Sequence, residues 1–247
     1  MKKGIILLEG STPALTFAGQ FLQEDGYQVT DQATLDVSYV LLDVPSFLAN
    51  GKLRSGKELD TLLTALPKNA ILCGGNLYND RLEIFHTYDF LQDETYLCAN
   101  AAITANCALR IATQHLSTTL KDAPTLIIGW GRIGKCLAQL LRSLGCNVSV
   151  AARNGKDRAI LFSLGYDAVD VTGIIPEQYR LILNTAPEKV LDVGNCKKCV
   201  KIDLASQRGL IGDDIIWARG LPGMYAPESS GKLIAQTFQR LTQEEKS

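Results

Sequence analysis

Thr125-Leu126-Ile127-Ile128-Gly129-Trp130-Gly131-Arg132-Ile133-Gly134 is the stretch on which the reading of this chain turns. A short run of buried-strand character leads straight into G-x-G-x-x-G. Ile133, Leu137, Leu140, Leu141 and Leu144 then recur with the spacing of one helix face, ending at Gly145. G-x-G-x-x-G arises easily by chance, but between a strand and an amphipathic helix it marks a dinucleotide-binding turn. Gly129 permits the tight turn, Gly131 lets backbone approach a pyrophosphate, and Gly134 allows close helix–sheet packing. The start of the helix, with its unpaired amides, attracts the anion.

The next strand, Asn147–Ala151, ends where a ribose is read. An Asp or Glu about 20 residues after the first glycine would bind the ribose hydroxyls of NAD. Here that place holds Ala152, Arg153 and Asn154, with Lys156 and Arg158 close behind. A guanidinium suits a 2′-phosphate, so the expected cofactor is NADP. Asn184-Thr185-Ala186-Pro187 and Asp203-Leu204-Ala205-Ser206 follow two further strands. Both strings fall where the nicotinamide ribose and ring would rest. The expected cofactor-binding set is therefore Gly129 to Gly134, Ala152 to Asn154, Asn184 to Pro187, Leu204 and Ala205.

Outward from this unit, apolar runs alternate with helix-period stretches along the chain. Strands are expected at Gly4–Leu8, Tyr39–Val44, Ala70–Cys73, Ala168–Val171 and Ile215–Ala218, besides those already named. Helices are expected at about Pro13–Asp25, Asn100–Leu120 and Pro227–Leu241. The expected class is α/β, with two Rossmann-like parallel-sheet domains joined by long inter-domain helices. Residues 1–98 form an amino-terminal α/β domain on the substrate side. Residues 99–226 form the dinucleotide domain with its leading helix, and 227–247 a last helix packing back on the first domain.

Composition narrows the function. Lys plus Arg number 25 against 26 Asp plus Glu, so there is no general attraction for nucleic acid or anionic membranes. The early apolar run Gly4–Leu8 stops at Glu9, far short of the ~20 residues of a span. Seven scattered cysteines with no secretory segment read as reduced thiols of a cytoplasmic protein. Cys196-Lys197-Lys198-Cys199 has C-x-x-C spacing, but without a second pair or a nearby histidine it does not make a metal site. Only two histidines exist, His86 and His115, and no G-x-S-x-G elbow accompanies them, so a Ser-His-Asp hydrolase is excluded.

Several strings together resemble the family of dipicolinate synthase A subunits. They are Tyr88 to Asn100, Ala112-Thr113-Gln114-His115, the glycine loop, Ala152-Arg153-Asn154, Asn184 to Pro187, Asp203 to Ser206, and Gly220-Leu221-Pro222-Gly223-Met224-Tyr225-Ala226-Pro227. The resemblance covers about Tyr88 to Leu241. It implies NADP-linked oxidation of dihydrodipicolinate to dipicolinate in sporulation, a partner in the form of a second, flavoprotein-like B subunit, and a possible homo-oligomer. It also implies a distant link to D-2-hydroxyacid dehydrogenases, whose histidine base has no counterpart in Leu221 to Pro227. No catalytic acid or base is identified. Backbone amides after Gly10, Gly74 and Ala226 are the expected donors to the small dicarboxylate substrate, joined by the side chains of Ser11, Thr12, Ser46, Asn76 and Asn100. Two other readings stay open: an NADP-dependent reductase of a small keto acid, and a non-catalytic NADP-binding regulatory subunit.

Overall fold

β1 (Ile5–Glu9) begins the chain's first sheet, and Thr12 and Pro13 turn it into α1 (Pro13–Glu24). Thr12 caps that helix by accepting from the Leu15 amide, while Pro13 fills a first-turn place that needs no amide. The computed structural model describes residues 3–194 and 196–244. After α1 come β2 (Gln28–Thr30), β3 (Val37–Leu42), α2 (Leu59–Ala65), β4 (Ile71–Gly74) and β5 (His86–Asp89). The sheet order is β2-β1-β3-β4-β5, with every pair parallel. Its order reverses between β1 and β3, the place where open α/β sheets gather ligands.

Both faces of this sheet are apolar, as parallel strands require. Ile6, Tyr39, Leu41 and Cys73 share one core with Ala14, Leu15, Ala18 and Leu22 of α1. Leu7, Val40, Leu42 and Leu72 share the other with Leu59 and Leu62 of α2. The alternation is the period of two that strand geometry imposes.

α3 (Glu94–His115) follows, and a second sheet begins at β6 (Pro124–Ile128). Then come α4 (Arg132–Ser143), β7 (Asn147–Ala151), α5 (Gly155–Ser163), β8 (Asp167–Val169) and β9 (Leu181–Asn184). β10 (Leu191–Gly194), β11 (Val200–Asp203), β12 (Leu210–Gly212) and β13 (Ile215–Trp217) complete the strands. The main sheet runs β13-β11-β9-β6-β7-β8, all parallel, and β10 pairs separately with β12. Counted from β6, this is the 3-2-1-4-5-6 order of the dinucleotide-binding α/β fold. α6 (Leu221–Tyr225) and α7 (Pro227–Glu244) end the described chain. The fold is thus α/β with two Rossmann-like parallel sheets. The chain divides into Met1–Asn100 with Pro222–Ser247, and Ala101–Leu221. The expected final element, 227–247, runs beyond the described residues at 245–247.

Three differences from the sequence expectations have local causes. α3 starts at Glu94 rather than Asn100, because Asp93 accepts from the Tyr96 amide and caps the helix a turn and a half earlier. It also ends at His115, before the Ser-Thr-Thr run at 117–119. β2, β5, β10 and β12 are short, and β2 and β5 are polar enough to carry no apolar signal. α5 buries Leu161 alone in its helix and leaves Phe162 facing solvent, so it has no apolar stripe to detect.

α7 lies against α1 within the first unit. Phe238, wholly buried, meets Tyr27 and Tyr39 edge-on at centroid distances of 5.5 and 5.1 Å. Arg240 pairs with Asp93, and Gln239 donates to Asp25. The two helices approach closely at Gly231, where a Cβ would stand 2.5 Å from the Phe17 Cβ and 2.6 Å from the Ala14 carbonyl oxygen. Alanine is better than glycine in a free helix by ~1 kcal/mol, while overpacking costs ~1–3 kcal/mol. Since the clash here includes backbone, Gly231→Ala is expected to lower stability by about 1–2 kcal/mol in urea unfolding, against the helix-propensity trend.

Candidate functional site

In the second unit, the β6–α4 turn is built around its glycines. Gly129 adopts φ +102° and donates to the Ala151 carbonyl at 2.9 Å. Thr185 closes the other side, its amide and hydroxyl both donating to the Ile128 carbonyl at 2.9 Å. At Gly134 a Cβ would fall 2.2 Å from the Gly129 carbonyl oxygen, so only glycine lets α4 pack this close. Gly131 is the N-cap of α4 and offers no side chain to its first amides. A Cβ there would meet nothing within 4 Å.

These features fit a pyrophosphate, because the first-turn amides of α4 have no partner within the helix and no capping side chain. A pocket of about 280 Å³ opens beside them. It brings together the expected residues Gly129, Trp130, Gly131, Ala152, Arg153, Asn154 and Ala186, and adds Ile128, Ala151, Asp157, Val171 and Val190. Arg132, Ile133 and Gly134 supply the first turn of α4 behind it. Trp130 packs edge-on to Tyr166 at 5.8 Å, with the Lys135 ammonium 5.9 Å from its ring.

The basic residues after β7 have divided roles. Asn154 caps α5, accepting from the Asp157 amide at 2.8 Å and donating to the Asp157 carboxylate at 2.9 Å. Arg158 donates to the carbonyls of Ala152 and Arg153, both at 2.7 Å, and pairs with Asp170 at 2.8 Å. The Thr172 amide and hydroxyl donate to Asp170 and hold its carboxyl below the usual range. Arg158 thus shapes the loop through its Nη1 and, against expectation, does not line the pocket. Lys156 makes no ion pair among the described residues. Arg153 lines the pocket, and both of its terminal nitrogens engage Glu188.

The ends of β9 and β11 are joined by a buried polar network. Asn184, fully buried, donates to the Ala186 carbonyl and to Asp203, each at 3.0 Å, and accepts from the Ala186 amide at 3.1 Å. Asp203, also fully buried, accepts further from the amides of Ala205, Gly209 and Leu210 at 3.1, 2.8 and 2.9 Å. The side chains of Asn184 and Thr185 are thus used to hold their own loop. Pro187, Leu204 and Ala205 lie outside the pocket lining. Trp217 donates its indole N–H to the Ala205 carbonyl at 3.2 Å, with the guanidinium groups of Arg208 and Arg219 at 5.0 and 5.4 Å from its ring.

In the first unit the expected amide donors after Gly10 and Gly74 are already satisfied. Asp43, 1% exposed, accepts from the amides of Ser11 and Thr12 at 2.8 and 3.3 Å and from the Thr12 hydroxyl. Ser46 donates to the Asp43 carbonyl at 2.8 Å and accepts from the Gly75 amide at 3.0 Å. Asp89 takes the amides of Asn76 and Leu77 at 3.0 and 2.9 Å. The Ser11 hydroxyl donates to the Arg54 carbonyl at 3.0 Å. Asn76, at φ +59°, lines a second pocket of about 500 Å³ with Phe47, Leu48, Tyr78 and Asn79. Asn100 lies within α3.

The cysteine pair is structural. Cys196 and Cys199 are buried in the core of the second unit. Burial pushes the Cys199 thiol up to about 12, with the Cys196 sulfur adding to the shift. Among the described residues no three His, Cys, Asp or Glu side chains cluster to hold a metal. Of the histidines, His115 lies in the last turn of α3 and His86 packs edge-on to Tyr88 at 4.8 Å.

No family model matches the chain. Over 162 residues it is 28% identical to the A subunit of dipicolinate synthase from Bacillus subtilis strain 168. That match takes in 59% of this chain and 54% of the relative, so the aligned part spans about half the length of the curated protein. The dipicolinate synthase A subunit from Bacillus halodurans superposes with a TM-score of 0.79 at 19% identity, over 96% of this chain and 97% of that one. Its counterpart from Bacillus subtilis gives 0.79 at 21%, over 99% and 97%. A transhydrogenase from Sinorhizobium meliloti gives 0.69 at 11%, over 98% and 94%. Strand order and glycine turn define a Rossmann-type α/β protein. Within that class the chain is similar to the dipicolinate synthase A subunit, in sequence over part of its length and in fold over nearly all of it. No helix among the described residues is long and apolar enough to cross a membrane.

Two outcomes follow from this geometry. Asp203→Asn would turn an amide N–H₂ toward backbone N–H donors in a buried place, and is expected to cost about 2–4 kcal/mol in chemical denaturation. Iodoacetamide at pH 8 is expected to label the exposed Cys98 in the native protein and to spare Cys199, which stays a neutral thiol below about pH 12. Peptide mapping of the labelled protein checks the second.

Proposed function

We propose that this chain is an NADP-linked oxidoreductase that converts dihydrodipicolinate to dipicolinate together with a B subunit. The observation that carries the cofactor reading is the uncapped start of α4 beside a pocket whose ribose end offers Arg153 and no free acid on β7. The amides of the α4 first turn would hold the pyrophosphate, and Arg153, helped by Lys156, the 2′-phosphate. The bound nicotinamide supplies the hydride acceptor. The likeness to the dipicolinate synthase A subunit supports the substrate, and with it a cytoplasmic setting in sporulation.

The first unit is assigned to the substrate side. Its amides after Gly10 and Gly74 are engaged by Asp43 and Asp89, so the substrate's carboxylates fall to side chains, with Asn76 in its pocket the best placed of the expected donors. The Asn76 carboxamide makes no hydrogen bond among the described residues, and Phe47 and Tyr78 beside it offer apolar surface to a planar ring. Becoming aromatic drives the loss of hydride and proton from the substrate, so a weak acceptor or water suffices as the base. This is consistent with a segment from Leu221 to Pro227 that carries no histidine.

NADPH formation from freshly generated dihydrodipicolinate, followed by near-ultraviolet absorbance with and without the B subunit, tests the activity. Turnover in either condition is expected. Silence in both, with NADP binding intact, overturns the reaction in favour of a regulatory role. NADP is expected to bind tighter than NAD, and Arg153→Gln to weaken NADP about tenfold, the worth of a charged hydrogen bond.

A further inference from the structure

The cofactor pocket carries an ion pair that holding a nucleotide does not require. Arg153, just past β7, and Glu188, on the loop after β9, meet two nitrogens to two oxygens. Arg153 lines the pocket, and so do Ala186 and Val190, which lie on either side of Glu188 in the chain. We infer that Glu188 sets cofactor selectivity, its carboxylate competing with the 2′-phosphate of NADP for Arg153. This deepens the cofactor reading above and rests on it.

The charges at the pocket leave Arg153 little choice of partner. It is the one cation among the lining residues. Arg158 is held by Asp170 and two carbonyls, and the Asp157 carboxylate by Asn154. A phosphate reaching Arg153 must displace Glu188, or share the guanidinium with it at the cost of like-charge repulsion. The loop cannot readily carry Glu188 away. Its start is fixed by Asn184 bonding Ala186 in both directions, and its end by Val190 donating to the Gly209 carbonyl at 2.9 Å. Gly209 is held in turn by Asp203. The adjustment is left to the Glu188 side chain, which is more than half exposed and so can swing out. Exposed pairs are weak, so NADP can win the competition at a several-fold loss of affinity. The ribose hydroxyls of NAD carry no charge and do not need Arg153 freed.

The test is equilibrium titration of the full chain with NADPH and with NADH, read by nicotinamide fluorescence. It compares wild type, Glu188→Gln, Arg153→Gln and the double variant. Glu188→Gln is expected to tighten NADPH by about threefold to tenfold and to leave NADH within about twofold. That gain is expected to disappear when Arg153 is also Gln. Unchanged NADPH binding, a gain that persists without Arg153, or a loss of NADH affinity overturns the inference, the last because Glu188 would then read the ribose directly. Failure of the cofactor reading looks different: wild type holds NADH more tightly than NADPH. Even then a shift toward NADPH in Glu188→Gln, abolished with Arg153, upholds the role of Glu188. Absence of NADPH binding in wild type and Glu188→Gln alike overturns both.

Discussion

The carboxylate of Asp203 is the fixed point of the second unit. Four donors converge on it in a place without solvent: three backbone amides and the Asn184 carboxamide. A buried charge is tolerable only when it is satisfied in this way. Because the donors come from the loop after β11 and from the end of β9, one side chain sets the position of both loops. The placing of Ala186 and Val190 in the pocket lining follows from that, and so does the reach of Glu188.

The first sheet uses the same device to a different end. Asp43 and Asp89 also stand at or just past strand ends and also collect backbone amides, but theirs are the amides that a ligand carboxylate would have used. At the start of α1 Thr12 caps the Leu15 amide, and Asp43 takes the amides of Ser11 and Thr12 just ahead of it. The start of α4 has Gly131 in the capping place and no side-chain acceptor. Two parallel sheets with nearly the same local grammar thus differ in which helix start keeps its attraction for an anion, and a single cap residue decides it. The nucleotide reading therefore attaches to the second sheet rather than the first.

Much of this could be read from the residues alone. Long apolar strands and the α4 face are dictated by periodicity, and Asn147–Ala151 coincides with its expected bounds. The glycine turn was legible because Gly129 and Gly134 answer backbone needs that other residues cannot meet. What escaped is what periodicity does not encode. The edge strand His86–Asp89 has no apolar alternation, and α5 turns Phe162 to solvent. Aspartates near strand ends read as turn chemistry, so nothing in the sequence said that Asp43 would take the Thr12 amide, 31 residues before it in the chain. Glu188 gave no signal either, since its importance comes from Arg153, 35 residues away in sequence.

That last pair also shows why stability and selectivity have to be weighed separately. An exposed ion pair contributes ~0–1 kcal/mol to folding, too little to matter against a net stability of ~5–15 kcal/mol. Discrimination between two cofactors is itself a small difference, in which ~1.4 kcal/mol is tenfold. The same weak interaction that the fold could lose without consequence is therefore large on the scale of choosing a cofactor. On the proposed reading, selectivity is set by the balance of charges around one guanidinium, and the loops that Asp203 holds in place fix which carboxylate takes part.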